Sequence, residues 1–157
     1  MKIQPPTTTE NKYMIFALIF ILSNKLQAIG DSFFEEVSTK QWFVLVVLKI
    51  MNAYAPTLNE LSEAVGSSHQ NVKQLVLKLE KKGYVELYKD EEDARRLRIR
   101  TTPKCELFSK AYEEKSSIFM DKLFADFDTS DLSVAKKVMS TMKDVLETLE
   151  KDYIKEY

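Results

Sequence analysis

The sequence predicts a mainly α-helical fold that carries one small β-hairpin, and three observations support this fold class. At four places a Ser or Thr is followed three residues later by Glu or Gln, just before an apolar stretch, which is the capping pattern of a helix start. Apolar residues then recur three or four positions apart along most of the chain. After Gly83 the apolar period changes to two, which indicates strands.

Length and composition describe one compact domain, 1–157. The chain has 157 residues with only three Gly and four Pro, so long helices with few breaks are expected. A single cysteine leaves no partner for an intramolecular disulfide and indicates a reducing compartment, which predicts a cytoplasmic protein. With one His, no Gly-rich phosphate loop and no metal-ligand spacing, the sequence predicts neither an enzyme nor a cofactor or metal site.

The first helix is expected from about Thr8 to Ile29, with Gly30 ending it in a left-handed conformation. Its middle is apolar nearly all round, so a partner subunit is expected to cover a second side. The most apolar run, 13–22, is shorter than the roughly 20 residues that cross a bilayer, which predicts no membrane span. The four capping pairs that begin helices are Thr7/Glu10, Ser38/Gln41, Thr57/Glu60 and Ser67/Gln70.

The middle of the chain contains the pattern of a helix-turn-helix. An apolar helix over 39–53 is expected at the centre of the domain. A short helix over 58–65 follows, Gly66 supplies a turn, and a one-faced helix over 67–82 ends at Gly83. Two short helices joined by a tight turn with Gly are typical of a DNA-binding module.

A β-hairpin is expected directly after this module. Strands are predicted at 85–88 and 96–101, joined by the polar loop 89–95. The segment 95–104 has five basic residues and no acidic one, although the net charge of the chain is −1. The hairpin is therefore interpreted as a wing with a basic outer face.

Two further helices are expected after the wing. Thr102 caps the first, Pro103 stands at its first helical position, and the helix ends near Phe127. The last begins at about Ser130 and carries an apolar stripe longer than a small domain needs for its own core. The predicted organisation is a winged helix-turn-helix DNA-binding lobe over 38–102, with a helical dimerisation region over 8–30 and 103–155.

These motifs resemble the MarR family of bacterial regulators along nearly the whole chain. Residues 38–45 resemble the family's second-helix opening, and residues 58–85 its helix-turn-helix. Residues 90–102, with the sequence DEEDARRLRIRTT, are similar to its wing pattern. The resemblance implies a transcriptional regulator, a repressor that binds a pseudo-palindromic operator in double-stranded DNA as a homodimer and is released by a small aromatic or amphipathic effector.

A recognition helix enters the major groove by its N-terminal residues, where base edges present distinct donor and acceptor patterns. Amide side chains there suit adenine, and Lys suits phosphate. The simpler alternative is a solvated polar face. The recognition-helix residues predicted to contact DNA are Ser68, His69, Gln70, Asn71, Lys73, Gln74 and Lys78.

In the wing, Arg95 is expected to enter the minor groove, where narrow A·T-rich segments concentrate negative potential. The resemblance assigns Asp93 to hold and orient it. Arg96 and Arg98, with Arg100 on the same strand face, are expected to contact phosphates. Charge runs also occur on merely solvated faces, and Arg96 and Arg100 fit that alternative.

The sequence is least informative about regulation. A ligand pocket lined by Tyr13, Phe16, Phe20 and Trp42 is one interpretation, and core packing is the favoured role for each. Cys105 stands at a helix start, where its thiol pKa could fall, but a structural role is favoured. Two other function classes stay open: a winged-helix module that binds protein, and a peripheral membrane protein that uses the apolar first helix.

Overall fold

The computed structural model describes residues 7–51, 54–90, 93 and 95–155, with side chains described as far as residue 152. These residues form helices and one two-stranded antiparallel sheet, so the predicted fold class is confirmed. The elements are α1 (Thr8–Phe33), α2 (Thr39–Ile50), α3 (Leu58–Val65), α4 (His69–Lys81), β1 (Val85–Lys89), β2 (Leu97–Thr101), α5 (Pro103–Leu123) and α6 (Thr129–Lys155).

Capping boxes begin α1, α2 and α3 as predicted, at Thr7, Ser38 and Thr57. The predicted box at Ser67 is wrong. Gly66 takes a left-handed φ of 66° after α3, and the amide of Ser67 donates to the carbonyl of Ser62, so Ser67 closes the preceding helix. Ser68 is the N-cap of α4 instead, and its hydroxyl accepts from the backbone amide of Asn71.

Gly30 does not end the first helix, contrary to expectation, because α1 continues to Phe33. Gly30 lies instead where α1 meets the start of α2, and a Cβ at this position would collide with the side chain of Thr39. Asp31 accepts from the Thr39 backbone amide at 2.7 Å and from its hydroxyl at 2.8 Å. The glycine therefore permits a close helix contact.

The core of the fold surrounds α2, which contacts α1, α3, α4 and β2, as expected for the central helix. Leu61 of α3, Val72 of α4 and Ile99 of β2 are fully buried. α2 ends at Ile50, and the last predicted residues of this helix, 52 and 53, lie outside the described residues. The helix-turn-helix and the hairpin thus share one apolar core.

The hairpin is attached to the helix-turn-helix by a third extended segment. Within the hairpin, Val85 pairs with Thr101 and Leu87 with Ile99. Beside it, the amide of Ile99 donates to the carbonyl of Pro56 at 2.9 Å, and Thr57 forms an isolated bridge with Arg98. The segment before α3 therefore continues the sheet and couples the wing to the helix-turn-helix.

The chain divides into two compact units, 1–109 and 110–157. In the first, the start of α5 contributes the buried Cys105 and Phe108 to the core, whereas α1 has no buried residue. In the second, α5 ends at Leu123, earlier than the expected Phe127, and the described part of α6 has no buried side chain.

α1 is also long and apolar enough to cross a membrane by length and composition. The whole helix spans 26 residues, which is longer than the run 13–22 on which the expectation of no membrane span was based, and that expectation stays a prediction.

Candidate nucleic-acid interface

The two faces of α4 differ sharply in burial. Val72, Val76 and Leu79 pack into the core, with at most 1% of each exposed. The polar residues predicted to contact DNA all lie on the exposed side of the helix or at its start. These residues are Ser68, His69, Gln70, Asn71, Lys73, Gln74 and Lys78.

Most of these side chains are available to an external partner. The hydroxyl of Ser68 is occupied by its capping bond to Asn71. The amides of Gln70 and Gln74 make no hydrogen bond within the part of the chain that the structure describes, and neither does the amide of the Asn71 side chain. An array of uncommitted amides beside Lys73 and Lys78 matches the donor and acceptor chemistry of base edges and phosphates.

Two carboxylates organise the turn of the wing. The backbone amide of Asp90 donates to the carbonyl of Arg96 at 3.0 Å. The Asp90 carboxylate accepts from the amide of Asp93 at 2.9 Å, and the Asp93 carboxylate accepts from the amide of Arg95 at 3.1 Å. Each aspartate therefore holds a backbone amide further along the turn, in which Arg95 is exposed.

The structure pairs the other wing arginines with carboxylates. Arg96 contacts Asp93 at 3.3 Å, Arg98 pairs with Asp90, and Arg100 pairs with Glu86 and lies over the ring of Tyr88. The basic outer face expected for the second strand is therefore largely neutralised within the hairpin. The strand register brings these pairs together. Arg100 stands directly opposite Glu86, and Arg98 stands opposite Tyr88, two positions before Asp90.

Arg98 is the most enclosed of these arginines. Only 25% of its side chain and 9% of the Asp90 side chain are exposed. Its guanidinium also donates to the carbonyl of Ala55 at 2.8 Å, in the segment before α3. Arg98 thus ties the wing to the helix-turn-helix, a geometry that favours positioning over the phosphate contact predicted for it.

Arg95 is the exception in the wing. It is exposed and makes no ion pair with any residue that the structure describes. The expectation that Asp93 holds Arg95 takes a different form, because Asp93 binds the backbone of Arg95 and pairs with the guanidinium of Arg96. Among the described residues, no carboxylate pairs with the Arg95 guanidinium.

Sequence reasoning missed several residues of this surface. Lys81 and Leu77 lie on the exposed side of α4, and the helical period of 3.6 could have identified both. It also missed Ala55 and Asp90 as anchors of Arg98. No local pattern marks that contact, because Ala55 and Arg98 are 43 positions apart.

The four residues proposed to line a ligand pocket occur in two places. Tyr13, Phe16 and Phe20 lie on α1 and are 58–73% exposed, and the two Phe rings contact each other at 5.1 Å. Trp42 stacks on Phe34 at 5.2 Å at the start of α2. Trp42 thus has a packing role, and the pocket stays a prediction.

Cys105 is buried, with 4% exposed. Burial raises the pKa of its thiol, and a hydrogen bond with Ser109 opposes this only in part. The thiol is therefore protonated at neutral pH, which agrees with a structural role rather than a reactive one.

The elements around this surface define a class of protein. A short helix, a left-handed Gly turn, a second helix with an exposed polar face and a β-hairpin form a winged helix-turn-helix. Residues 36–96 match the model of the MarR family. This winged-helix segment is therefore similar to the MarR family, the family that its motifs resemble.

Solved structures share the fold over most of the chain. A MarR/EmrR family transcriptional regulator from Acinetobacter sp. ADP1 matches with a TM-score of 0.77 and 19% identity, covering 87% of this chain and 97% of that one. The Staphylococcus aureus MepR–DNA complex has a TM-score of 0.73 and 20% identity, with coverage of 82% and 94%. Bordetella bronchiseptica BpsR has a TM-score of 0.70 and 14% identity, with coverage of 82% and 98%.

A comparison with curated protein sequences gives no significant match.

Proposed function

We propose that this chain is a homodimeric repressor that binds a pseudo-palindromic operator in double-stranded DNA and leaves it when a small molecule binds. The observation that carries the proposal is the polar face of α4, which is exposed and whose amide side chains make no hydrogen bond within the described residues. The opposite side of the same helix is buried in the core. Helix-turn-helix proteins place such a face in the major groove. The similar fold of MepR was solved as a DNA complex, which supports this docking mode.

In this proposal the wing contributes one minor-groove contact through Arg95. Its guanidinium is exposed and unpaired within the described chain, whereas Arg96, Arg98 and Arg100 are each held by a carboxylate. Breaking an ion pair to reach a phosphate costs part of the binding energy that the contact supplies. We therefore assign Arg95 to DNA, Arg98 to holding the wing in place, and Arg96 and Arg100 to weaker electrostatic attraction.

A homodimer explains the apolar surface of the terminal helices. Phe16 on α1 is 60% exposed, and Met139 and Leu146 on α6 are 60% and 61% exposed. Burial of such side chains stabilises an interface by about 1.5–3 kcal/mol each. Two copies then present two recognition helices about one helical turn, roughly 34 Å, apart on the DNA.

A membrane could cover the apolar surface of α1, since that helix is long and apolar enough to span a bilayer. α6 also exposes a long apolar stripe, although its remaining face carries many charged residues. Two apolar surfaces of this kind favour a protein partner over lipid. We accordingly place the protein in the cytoplasm with DNA.

The proposal includes release from DNA by a small aromatic or amphipathic molecule. Its support is the similarity to BpsR, whose structure addresses regulation of DNA binding by 6-hydroxynicotinic acid. The candidate lining residues remain Tyr13, Phe16, Phe20 and Trp42.

The test is selection from a pool of random duplexes at about 0.1 M salt, followed by affinity measurements over a range of salt concentrations. We expect one pseudo-palindrome to be enriched. Arg95→Ala should weaken binding by about tenfold or more and remove the preference for A·T pairs at the edges of the site. No enrichment would contradict the proposal and favour a winged-helix module that binds protein.

Arg98→Met is the matched comparison, since it removes a second wing arginine but keeps an unbranched apolar stem. In a plot of the logarithm of the binding constant against the logarithm of the salt concentration, each neutralised phosphate contributes about −0.9 to the slope. If Arg98 only positions the wing, Arg98→Met should lower the affinity and leave this slope unchanged. A slope lowered by about one per protomer would show instead that Arg98 contacts phosphate.

A further inference from the structure

One apolar side chain stands in the middle of the exposed face of α4. Leu77 is 42% exposed, although the apolar residues of this helix that face the core, such as Val76 and Leu79, are almost completely buried. At about 100° per residue, Gln70, Gln74 and Leu77 project from the helix within an arc of about 60°. Leu77 therefore belongs to the surface that faces DNA.

The neighbours of Leu77 on this face are the amide of Gln74 and the ammonium group of Lys81, both exposed. The core does not use Leu77. Only one group in the major groove suits an aliphatic side chain. It is the C5-methyl group of thymine, which A·T pairs present beside their hydrogen-bonding atoms.

We propose that Leu77 is a specificity-determining residue that contacts a thymine methyl group in each half-site. This inference rests on the proposed function and extends it, because it adds apolar readout of thymine to the polar readout by Gln70 and Gln74. Leu77 lies about 12 Å from the first residue of α4 along the helix axis, at a rise of about 1.5 Å per residue. The major groove admits an α-helix, and in this proposal α4 lies far enough along the groove for Leu77, about two turns from the helix start, to meet the base edges.

The test removes the methyl group from the DNA and the side chain from the protein, separately and together. The probe is the duplex selected by the unchanged chain, with each thymine replaced in turn by deoxyuridine, which lacks only the methyl group. Leu77→Ala removes the side chain and keeps a strong helix former, so the fold is retained and circular dichroism checks it. Ile50→Ala is the matched control, because Ile50 is an exposed aliphatic residue of α2, outside the helix-turn-helix.

In the unchanged chain, one deoxyuridine position per half-site should weaken binding by about fourfold, the effect of exposing one methyl-sized group. Leu77→Ala should lose this sensitivity at that position only, whereas Ile50→Ala should keep it. Leu77→Met should restore part of it, because an unbranched apolar side chain still reaches the methyl group.

Equal deoxyuridine penalties in the unchanged chain and in Leu77→Ala would overturn the assignment. So would an Ala variant that weakens every duplex to the same extent, because that result describes a contact with sugar or phosphate. Both results leave an enriched palindrome in place and so leave the proposed function standing. Absence of any enriched duplex would instead remove the proposed function, and this assignment with it.

Discussion

The winged helix-turn-helix lobe and the terminal helices use their apolar residues in different ways. In the lobe, Leu61, Val72 and Ile99 are fully buried by contacts within the chain. On α1 and α6, residues such as Phe16 and Leu146 are about 60% exposed. The contacts within one chain therefore complete the core of the lobe, whereas the terminal helices leave large apolar side chains exposed. Three predictions test this difference.

The largest effect is expected from a charge placed in the apolar stripe of α6. Leu146→Glu removes about 1.5–3 kcal/mol of burial from each protomer, and a symmetric dimer contains two such sites. We expect the dimerisation constant to fall by more than a hundredfold while the lobe stays folded. Analytical ultracentrifugation measures the first result and circular dichroism the second.

The control for this variant is Ser140→Glu, which places the same charge on the opposite side of α6, where the helix is polar. It should leave self-association unchanged. Equal dissociation in both variants, or no dissociation in either, would contradict the role assigned to the α6 stripe.

The second prediction concerns the core of the lobe. Leu61→Ala should lower the free energy of unfolding by about 2–5 kcal/mol, because a fully buried Leu leaves a cavity. Leu107→Ala, at a side chain that is 69% exposed, should change it by less than about 0.5 kcal/mol. Urea denaturation measures both changes in the free energy of unfolding, in chains that also carry a substitution expected to prevent dimerisation, such as Leu146→Glu. Similar losses in the two variants would mean that the lobe core does not depend on this chain alone.

The smallest effect is expected from the capping box of α3. The backbone amide of Thr57 donates to the Glu60 carboxylate at 2.6 Å, and this bond lowers the pKa of Glu60, with a further contribution from the Thr57 hydroxyl. A lowered pKa stabilises the folded state above the unfolded pKa of about 4.3, and this stability is lost as pH falls through the lower folded pKa.

The measurement is the thermal midpoint between about pH 6 and pH 3 in the unchanged chain and in Glu60→Gln. The variant keeps the capping acceptor but no longer titrates, so its midpoint should fall less steeply with acid. Identical pH profiles would show that the box does not contribute through ionisation.

The order and bounds of most helices and strands were predictable because their determinants are local. Capping boxes lie within one helical turn, and they correctly predicted the starts of α1, α2 and α3. Two of the local errors, at Gly30 and Ser67, share one cause. In both cases a neighbouring helix determines the role of the residue: α2 contacts Gly30, and the end of α3 uses the amide of Ser67.

The candidate site was predictable in its position and less so in its chemistry. The exposed amides of α4 followed from helical periodicity. The pairing of Arg98 with Asp90 and of Arg100 with Glu86 did not, because it depends on the strand register and on burial against the segment before α3.

The sequence alone determined the helical fold class, the helix-turn-helix, the wing and the resemblance to the MarR family, since caps, turns and periodicity act between residues a few positions apart. Only the tertiary structure decided that Arg95 is the unpaired wing arginine among the described residues and that Gly30 serves a helix contact. It also decided that the apolar surfaces of α1 and α6 stay exposed in one chain. These properties depend on contacts between distant segments, whose free energy is set by register and packing and leaves no local pattern in the sequence.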